Sequence, residues 1–416
     1  SLPEGLTVIG SSAFEGCTGL SGGLTLPESV VRVDSGAFSG CTGFTGSLTL
    51  NEGLLSMGNY AFSRCGFTGA LILPGSLKTI GNNAFYQCTG LTALTFGESL
   101  TEIGFSAFEG CIGLEGSLTL PEGLTSIKGG AFDGCTGLTG PLALPQSLTE
   151  IGSSAFSGCT GLTGPLTFGD NLTSIGDYAF EDCTGLSGDL VFSGNNADIG
   201  NYAFDGCTGF NGGITLTGVR SIGKYAFRGC TGLNGPLVLG EGLTSIGSYA
   251  FYQCAGLTGS LTIPHSVTAI NSYAFENCTG FSGDLTIGSG ISTIGTSAFE
   301  GCSGFSGSLS IGGNHVDIGE SAFYGCSGFS GTLTLDSVSA IGTEAFQGCS
   351  GFSGDLTLSG VQSFGSSAFS RCGFTGSLYL TGTGNTTLPS GLFYGCGFTG
   401  SLRLSGISSI GPNAFA

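Results

Sequence analysis

The chain has 416 residues, of which 82 are glycine and only 9% are charged, against about 25% charged residues in typical soluble domains. Its 28 acidic and 9 basic residues give a formal net charge of −19, which argues against nucleic-acid partners and anionic lipid because both require clustered Lys and Arg. The composition also excludes a collagen-like chain, since there is no Gly-X-Y register. No apolar run reaches the roughly 18 residues of a membrane span, so no direct membrane insertion is expected.

A repeat that ends in cysteine runs from one end of the chain to the other. Residues 231–254 read TGLNGPLVLGEGLTSIGSYAFYQC, and the 17 cysteines mark copies that are 23 or 24 residues apart. A period in this range with leucines at fixed offsets is typical of a solenoid, in which each repeat packs on its neighbours. We therefore expect one elongated domain over residues 1–416. Because the start SLPEGLTVIG has neither an initiator Met nor a signal peptide, we expect a segment of a longer protein.

Most repeats divide into three short pieces. The first contains Leu-x-Leu, as at Leu118-Thr119-Leu120, and its alternation predicts a half-buried strand. A Pro-Glu-Gly type of turn follows. The second piece has the pattern apolar-Thr-x-Ile, as at Leu124-Thr125-Ser126-Ile127, and predicts another short extended segment on a second face. The third is Ala-Phe-x-x-Cys, whose Ala and Cys would share one side of a helical or 3₁₀ turn while Phe fills the core.

The pattern resembles a known repeat family over essentially the whole chain. The residues that carry the likeness are Leu91-x-x-Leu94-x-Phe96, the Ile-Gly-x-x-Ala-Phe-x-x-Cys segment and the period of 23 to 24 residues. They are similar to the BspA-like, or Treponema-type, leucine-rich repeats. The resemblance implies a leucine-rich-repeat solenoid of the α/β horseshoe class, with about 17 repeats of short parallel strands and helical or 3₁₀ turns. It also implies a bacterial or protozoan protein, extracellular or on the cell surface, concerned with adhesion and without catalytic residues.

The cysteines, histidines and acids give no catalytic or metal-binding set. An odd number of cysteines in equivalent positions favours buried free thiols, with disulfides between adjacent coils as the alternative. No Cys-x-x-Cys pair indicates a zinc site, and the two histidines, His265 and His315, both fall in turn-like stretches. We therefore expect no enzyme activity, no cofactor and no metal.

A stripe of tyrosines is the first candidate binding feature. The same position just before Ala-Phe holds tyrosine in five successive repeats: Tyr178, Tyr202, Tyr225, Tyr249 and Tyr273. Exposed tyrosines offer flat apolar faces with hydroxyl groups, which suit a sugar or a protein hot spot. The alternative is an aromatic ladder with a structural role only.

Three of the nine basic residues form the second candidate, because Arg220, Lys224 and Arg228 fall within nine residues of one another. In an otherwise acidic chain they could meet a partner that carries carboxylates. Salt bridges to Asp205 or Glu241 are the alternative. A column of threonines inside Leu-x-Leu, which Tyr379 and Arg403 continue in the last two places, is expected to line one sheet face.

Two functions fit these observations. The first is an adhesin-like interaction module that binds a protein or glycan, such as one derived from a host, through the solenoid face. The second is a structural stalk or a rod that associates end to end through uncovered strand edges. Uniform surface columns favour the second function, and a contiguous patch of unusual residues favours the first.

Overall fold

The structure is a computed structural model that describes residues 1–194, 196–336 and 338–416. It contains two compact units, Ser1–Phe210 and Asn211–Ala416. Within the described residues the regular elements are strands, and turns connect them. Each unit is a parallel β-solenoid in which one sequence repeat makes one coil, as the leucine-rich-repeat pattern predicts.

In the first unit, the apolar-Thr-x-Ile piece of each coil forms a short strand, and these strands pair in parallel with the equivalent strands of adjacent coils. We call this the Ile sheet of the first unit; its strands are β1 (Val8–Ile9), β3 (Arg32–Val33), β5 (Ser56–Met57), β7 (Thr79–Ile80), β9 (Glu102–Ile103), β10 (Ser126–Ile127), β12 (Glu150–Ile151), β14 (Ser174–Ile175) and β16 (Ala197–Ile199). The Leu-x-Leu pieces form small separate sheets instead. Their strands are β2 (Gly22–Thr25), β4 (Phe44–Thr49), β6 (Gly69–Ile72), β8 (Leu91–Thr95), β11 (Gly140–Pro141), β13 (Leu162–Thr163) and β15 (Leu190–Val191).

The second unit repeats this arrangement with longer Leu-x-Leu strands. Its Ile sheet contains β18 (Val219–Ile222), β20 (Ser245–Ile246), β22 (Ala269–Ile270), β24 (Thr293–Ile294), β26 (Val316–Ile318), β28 (Val338–Ile341) and β30 (Ser363–Phe364). The Leu-x-Leu strands are β17 (Ile214–Leu216), β19 (Leu237–Leu239), β21 (Gly259–Ile263), β23 (Phe281–Ile287), β25 (Leu309–Ile311), β27 (Gly331–Leu335), β29 (Phe352–Val361), β31 (Leu378–Leu388) and β32 (Leu402–Ile410). They pair as β17-β19, β21-β23-β25 and β27-β29-β31-β32.

The pairing register places equivalent residues side by side. In the Ile sheet of the first unit, Ile127 pairs with Ile103 and Ile151, and all three side chains are buried. In the Leu-x-Leu strands Leu261 pairs with Leu285 and is buried, whereas the intervening threonines are exposed. Since side chains alternate across a strand, the predicted half-buried strand and its threonine column are confirmed.

The Ala-Phe-x-x-Cys piece is not the predicted helical or 3₁₀ turn, and its hydrogen bonds show why. In one coil of the second unit, the N–H groups of Ala250, Tyr252 and Cys254 donate to the carbonyl three residues earlier, at 3.1–3.2 Å. The alternate N–H groups of Tyr249, Phe251 and Gln253 donate to carbonyls of the next coil, at 2.8–3.1 Å. A helix needs every successive N–H for its own backbone. Because every second N–H group bonds to the next coil, the turn joins adjacent coils and does not form a helix.

The core of each unit is built from stacked columns of equivalent side chains. The phenylalanine of each Ala-Phe pair stacks on its neighbour, as Phe251 does on Phe275 with ring centroids 5.1 Å apart and planes 6° from parallel. All seventeen cysteines are free thiols, fifteen of them buried. The predicted burial is confirmed for those fifteen; Cys17 is exposed and Cys396 is half-buried.

Candidate functional site

The five predicted tyrosines lie in the turn, immediately before the buried Ala-Phe pair; Tyr178 is exposed and the other four are half-buried. Their φ angles lie between 58° and 62°, in the left-handed region: Tyr178, Tyr202, Tyr225, Tyr249 and Tyr273. This left-handed conformation costs a residue with a side chain about 1–2 kcal/mol, because its Cβ lies too close to the following carbonyl oxygen. Other coils place Gly36, Gly130 or Asn83 at this position, and these residue types adopt the conformation more readily. Tyrosine is therefore placed where the backbone disfavours it, and its ring contacts must offset that cost.

The tyrosine rings form stacked series, one in each unit. In the first unit the rings of Tyr178 and Tyr202 are 4.8 Å apart and within 8° of parallel. In the second unit Tyr249 lies between Tyr225 at 4.6 Å and Tyr273 at 4.5 Å. We call these three residues the tyrosine series of the second unit. Stacking covers ring faces, so the ring edges and hydroxyl groups form the surface that a partner would meet.

The three predicted basic residues lie in the same repeat as Tyr225, between Cys207 and Cys230. The guanidinium carbon of Arg228 lies 5.0 Å from the ring centroid of Tyr225, which is a cation–π contact. Arg220 and Lys224 are exposed, and the carbonyl of Arg220 accepts hydrogen bonds from the N–H and hydroxyl of Thr244 at 2.8 and 3.0 Å. Arg228 therefore contacts the aromatic surface directly.

Partial burial keeps the central hydroxyl of the series protonated. Burial is the main cause that raises the pKa of Tyr249 above its ordinary value of 10.0, and Tyr273, Tyr225 and Glu276 add to the effect. A neutral phenol both donates and accepts a hydrogen bond. At physiological pH Tyr249 therefore presents an uncharged hydroxyl, which suits sugar hydroxyls or backbone amides.

The sequence prediction missed several aromatic residues of the turn face. Tyr60 occupies the same position as the five predicted tyrosines, with a φ of 58° and an exposed fraction of 50%, but it lies outside the run of successive repeats. Tyr252 follows Ala-Phe and meets Tyr249 edge-on at 5.6 Å. A comparison of the residues just before and just after Ala-Phe in all repeats would have found both tyrosines.

The histidines lie in exposed turns, as the sequence indicated. The Nδ1 atom of His265 lies 3.1 Å from the backbone nitrogen of Ser289, where it accepts the N–H hydrogen bond, and His315 has a φ of 58°. Across residues 1–194, 196–336 and 338–416, no three His, Cys, Asp or Glu residues form a metal-ligand group. The same residues include no helix with the length and hydropathy of a membrane span. The arrangement offers contact and hydrogen bonding as its chemistry.

Parallel coils, stacked core columns and a period of 23 to 24 residues define a leucine-rich-repeat solenoid, a class of scaffold for protein interactions. The chain belongs to the BspA-type leucine-rich repeat family. The family model, described as a BspA type leucine rich repeat region of six copies, matches residues 1–115, 116–234, 197–330 and 316–416. A search of curated proteins finds no match.

Solved structures of bacterial leucine-rich-repeat proteins resemble the chain. One from Bacteroides ovatus is 25% identical, with a TM-score of 0.59 over 79% of this chain and 82% of that one. A protein of T. pallidum is 27% identical, with a TM-score of 0.34 over 45% of this chain and 77% of that one. The pneumococcal vaccine antigen PcpA is 19% identical, with a TM-score of 0.45 over 80% of each chain. The Bacteroides likeness supports the solenoid fold.

Proposed function

We propose that the chain is a non-enzymatic, adhesin-like interaction module, extracellular or on the cell surface, that binds a protein or glycan through its turn face. The observation that carries this proposal is the tyrosine series of the second unit, with Arg228 beside it. Aromatic rings with hydroxyl edges and an adjacent arginine are the residue types that dominate binding hot spots. Residues 225–273 therefore form the proposed centre of the surface.

The cost of the left-handed backbone favours binding over a structural role for these tyrosines. Asparagine, glycine and serine fill the same position in other coils, and the hydrogen-bonded turn is unchanged there. The turn thus does not need tyrosine to form. Stacking offsets the backbone cost in the free chain, since an aromatic pair contributes about 0.5–1.5 kcal/mol beyond its buried area.

Self-association is a second candidate function, because one observation favours it. The nine-residue strand β32 (Leu402–Ile410) is the outermost strand of its sheet in the second unit. It carries Leu402 and Ile410 with exposed fractions of 58% and 54%. An apolar edge strand is a template for pairing, either with another chain or with a further coil of its own chain. Sedimentation at increasing protein concentration separates the candidates, because only the rod predicts growing assemblies.

An array of glycans and extracellular-matrix proteins tests the binding proposal. The probe is the chain itself, compared with a triple variant Tyr225→Asn, Tyr249→Asn and Tyr273→Asn. Asparagine fits the turn because Asn83 occupies the equivalent position with a φ of 56°. The proposal predicts saturable binding to at least one array component by the natural chain and its loss in the triple variant.

Tyr324→Ser is the matched control. Tyr324 follows Phe323 in the second unit, is 37% exposed and lies outside the tyrosine series, and Ser63 occupies the equivalent position in another coil. The control should bind as the natural chain does. A triple variant that still binds every array component as the natural chain does would remove the series from the site. An array without any binding would shift the function to the structural rod.

A further inference from the structure

A polar pocket with two tyrosines opens on the turn face of the first unit. Its volume is about 440 Å³, and its lining includes Tyr60, Ser63, Arg64, Asn83, Tyr86 and Glu109. These residues come from three successive coils, since Tyr60 donates its N–H to the carbonyl of Asn82, and Gln87 donates its N–H to that of Glu109. The sequence prediction did not include this pocket.

The ring of Tyr60 differs from the stacked tyrosines in its exposure. Its position in the adjacent coils holds Gly36 and Asn83, so no aromatic side chain covers it there. Half of the residue is accessible, at 50%, against 37% for Tyr178. Tyr60 is therefore the more exposed of the two, which leaves room for a ligand against its ring.

The rest of the lining combines donors and acceptors. The guanidinium carbon of Arg64 lies 5.4 Å from the ring centroid of Tyr86, and within the described residues no carboxylate forms a salt bridge with it. A guanidinium packed on a ring keeps its in-plane N–H donors for a ligand. Glu109 supplies acceptors and Asn83 supplies both kinds of group. The charges of Arg64 and Glu109 cancel, so the pocket is polar and close to neutral.

We propose that this pocket binds a neutral hexose residue of a glycan. The apolar C–H face of the sugar ring packs on Tyr60, and vicinal hydroxyls, each a donor and an acceptor, pair with Arg64, Glu109 and Asn83. Glu109 and the net charge of −19 disfavour an anionic sugar. The inference deepens the proposed function and rests on it, because it names a ligand class for a second site on an interaction module.

Saturation-transfer NMR and titration with neutral disaccharides test the pocket. The probes are lactose, cellobiose, maltose and mannobiose, with sialyllactose as the acidic comparison. The variants are Tyr60→Asn and Arg64→Gln, which copy Asn83 and Gln87 at the equivalent positions of the next coil, with φ angles of 56° and 55°. At least one neutral sugar should bind saturably, and each variant should weaken that binding about tenfold or more. Circular dichroism checks that both variants fold.

The control Tyr324→Ser and the triple variant of the tyrosine series should bind these sugars as the natural chain does. Three results would overturn the proposal: no saturable binding of a neutral sugar below about 10 mM, tighter binding of sialyllactose, or unchanged binding in Tyr60→Asn. Failure of the pocket alone leaves binding through the tyrosine series intact on the array. Failure of the proposed function removes binding from both assays.

Discussion

The thiol of Cys278 donates a hydrogen bond to the carbonyl oxygen of Phe251, one coil earlier, at 3.0 Å. The same bond recurs along the column, for example from Cys302 to Phe275 and from Cys326 to Phe299, both at 3.0 Å. Each of these sulfurs is fully buried. The cysteine column therefore ties adjacent coils together as protonated thiols and fills space as a small apolar side chain.

Reagent access should separate the buried thiols from the two that are not buried. Because only the thiolate reacts and burial holds the pKa of the Cys278 thiol well above 9.0, an Ellman assay of the folded chain at pH 8 should label Cys17 first and Cys396 more slowly. The fifteen buried thiols should react only in denaturant. Rapid labelling of most cysteines in the native chain, located by peptide mass mapping, would contradict the buried column.

Alkaline pH should unfold the protein steeply. Burial raises the pKa of Cys254 from 9.0 to about 12, and it raises those of Cys278 and Cys326 well above 9.0. Above pH 9 the unfolded chain thus releases thiol protons that the folded chain retains. The thiols' contribution to the free energy of unfolding should be at its maximum below pH 9. Above pH 9 it should fall by up to about 1.4 kcal/mol per pH unit for each buried thiol.

Urea titrations at pH 8, 9 and 10 measure this dependence. The matched control is Cys278→Ala, which should reduce the number of protons released on unfolding by one. It should also lower stability at every pH, since it removes the thiol hydrogen bond to the carbonyl of Phe251 and the volume of a buried sulfur. A free energy of unfolding that stays constant between pH 8 and pH 10 would show that the thiols are not held protonated by burial.

Two glycines should respond differently to the same substitution. A Cβ on Gly295 would lie 2.6 Å from the backbone nitrogen of Ser272 in the preceding coil, whereas a Cβ on Gly325 would have no atom within 4 Å. Gly295→Ala should therefore destabilise the chain by about 2 kcal/mol or more through overpacking. Gly325→Ala should cost about 1 kcal/mol, from its left-handed backbone alone. Equal losses in urea unfolding would show that the coils can separate at Gly295.

The repeat made most of the fold predictable, because period and alternation alone place Ile127 beside Ile103 and Ile151. The turn after it was predicted wrongly. Ala and Cys four residues apart fit a helical turn equally well, and nothing in the local sequence reveals that the N–H of Phe251 donates to Ala274 of the next coil. That bond depends on a neighbouring coil, so local propensity cannot predict it.

The candidate sites were predictable only where residues repeat. The run of five tyrosines stands out in the sequence, but the stacking of Tyr249 between Tyr225 and Tyr273 requires the distance between coils. The pocket at Tyr60 did not appear as a run of one residue type, because its lining combines different positions of four repeats. The pocket depends on contacts between residues at different repeat positions in adjacent coils, such as Arg64 and Tyr86. A periodic sequence pattern does not show such contacts.

The most direct test is the dissociation constant of the triple variant Tyr225→Asn, Tyr249→Asn and Tyr273→Asn for the tightest array component, measured together with its thermal midpoint. If the series is a binding surface, affinity should fall at least about tenfold while the midpoint moves by less than about 3 °C. Unchanged affinity with a large fall in the midpoint would contradict the proposal and assign the tyrosines to the stability of the coils.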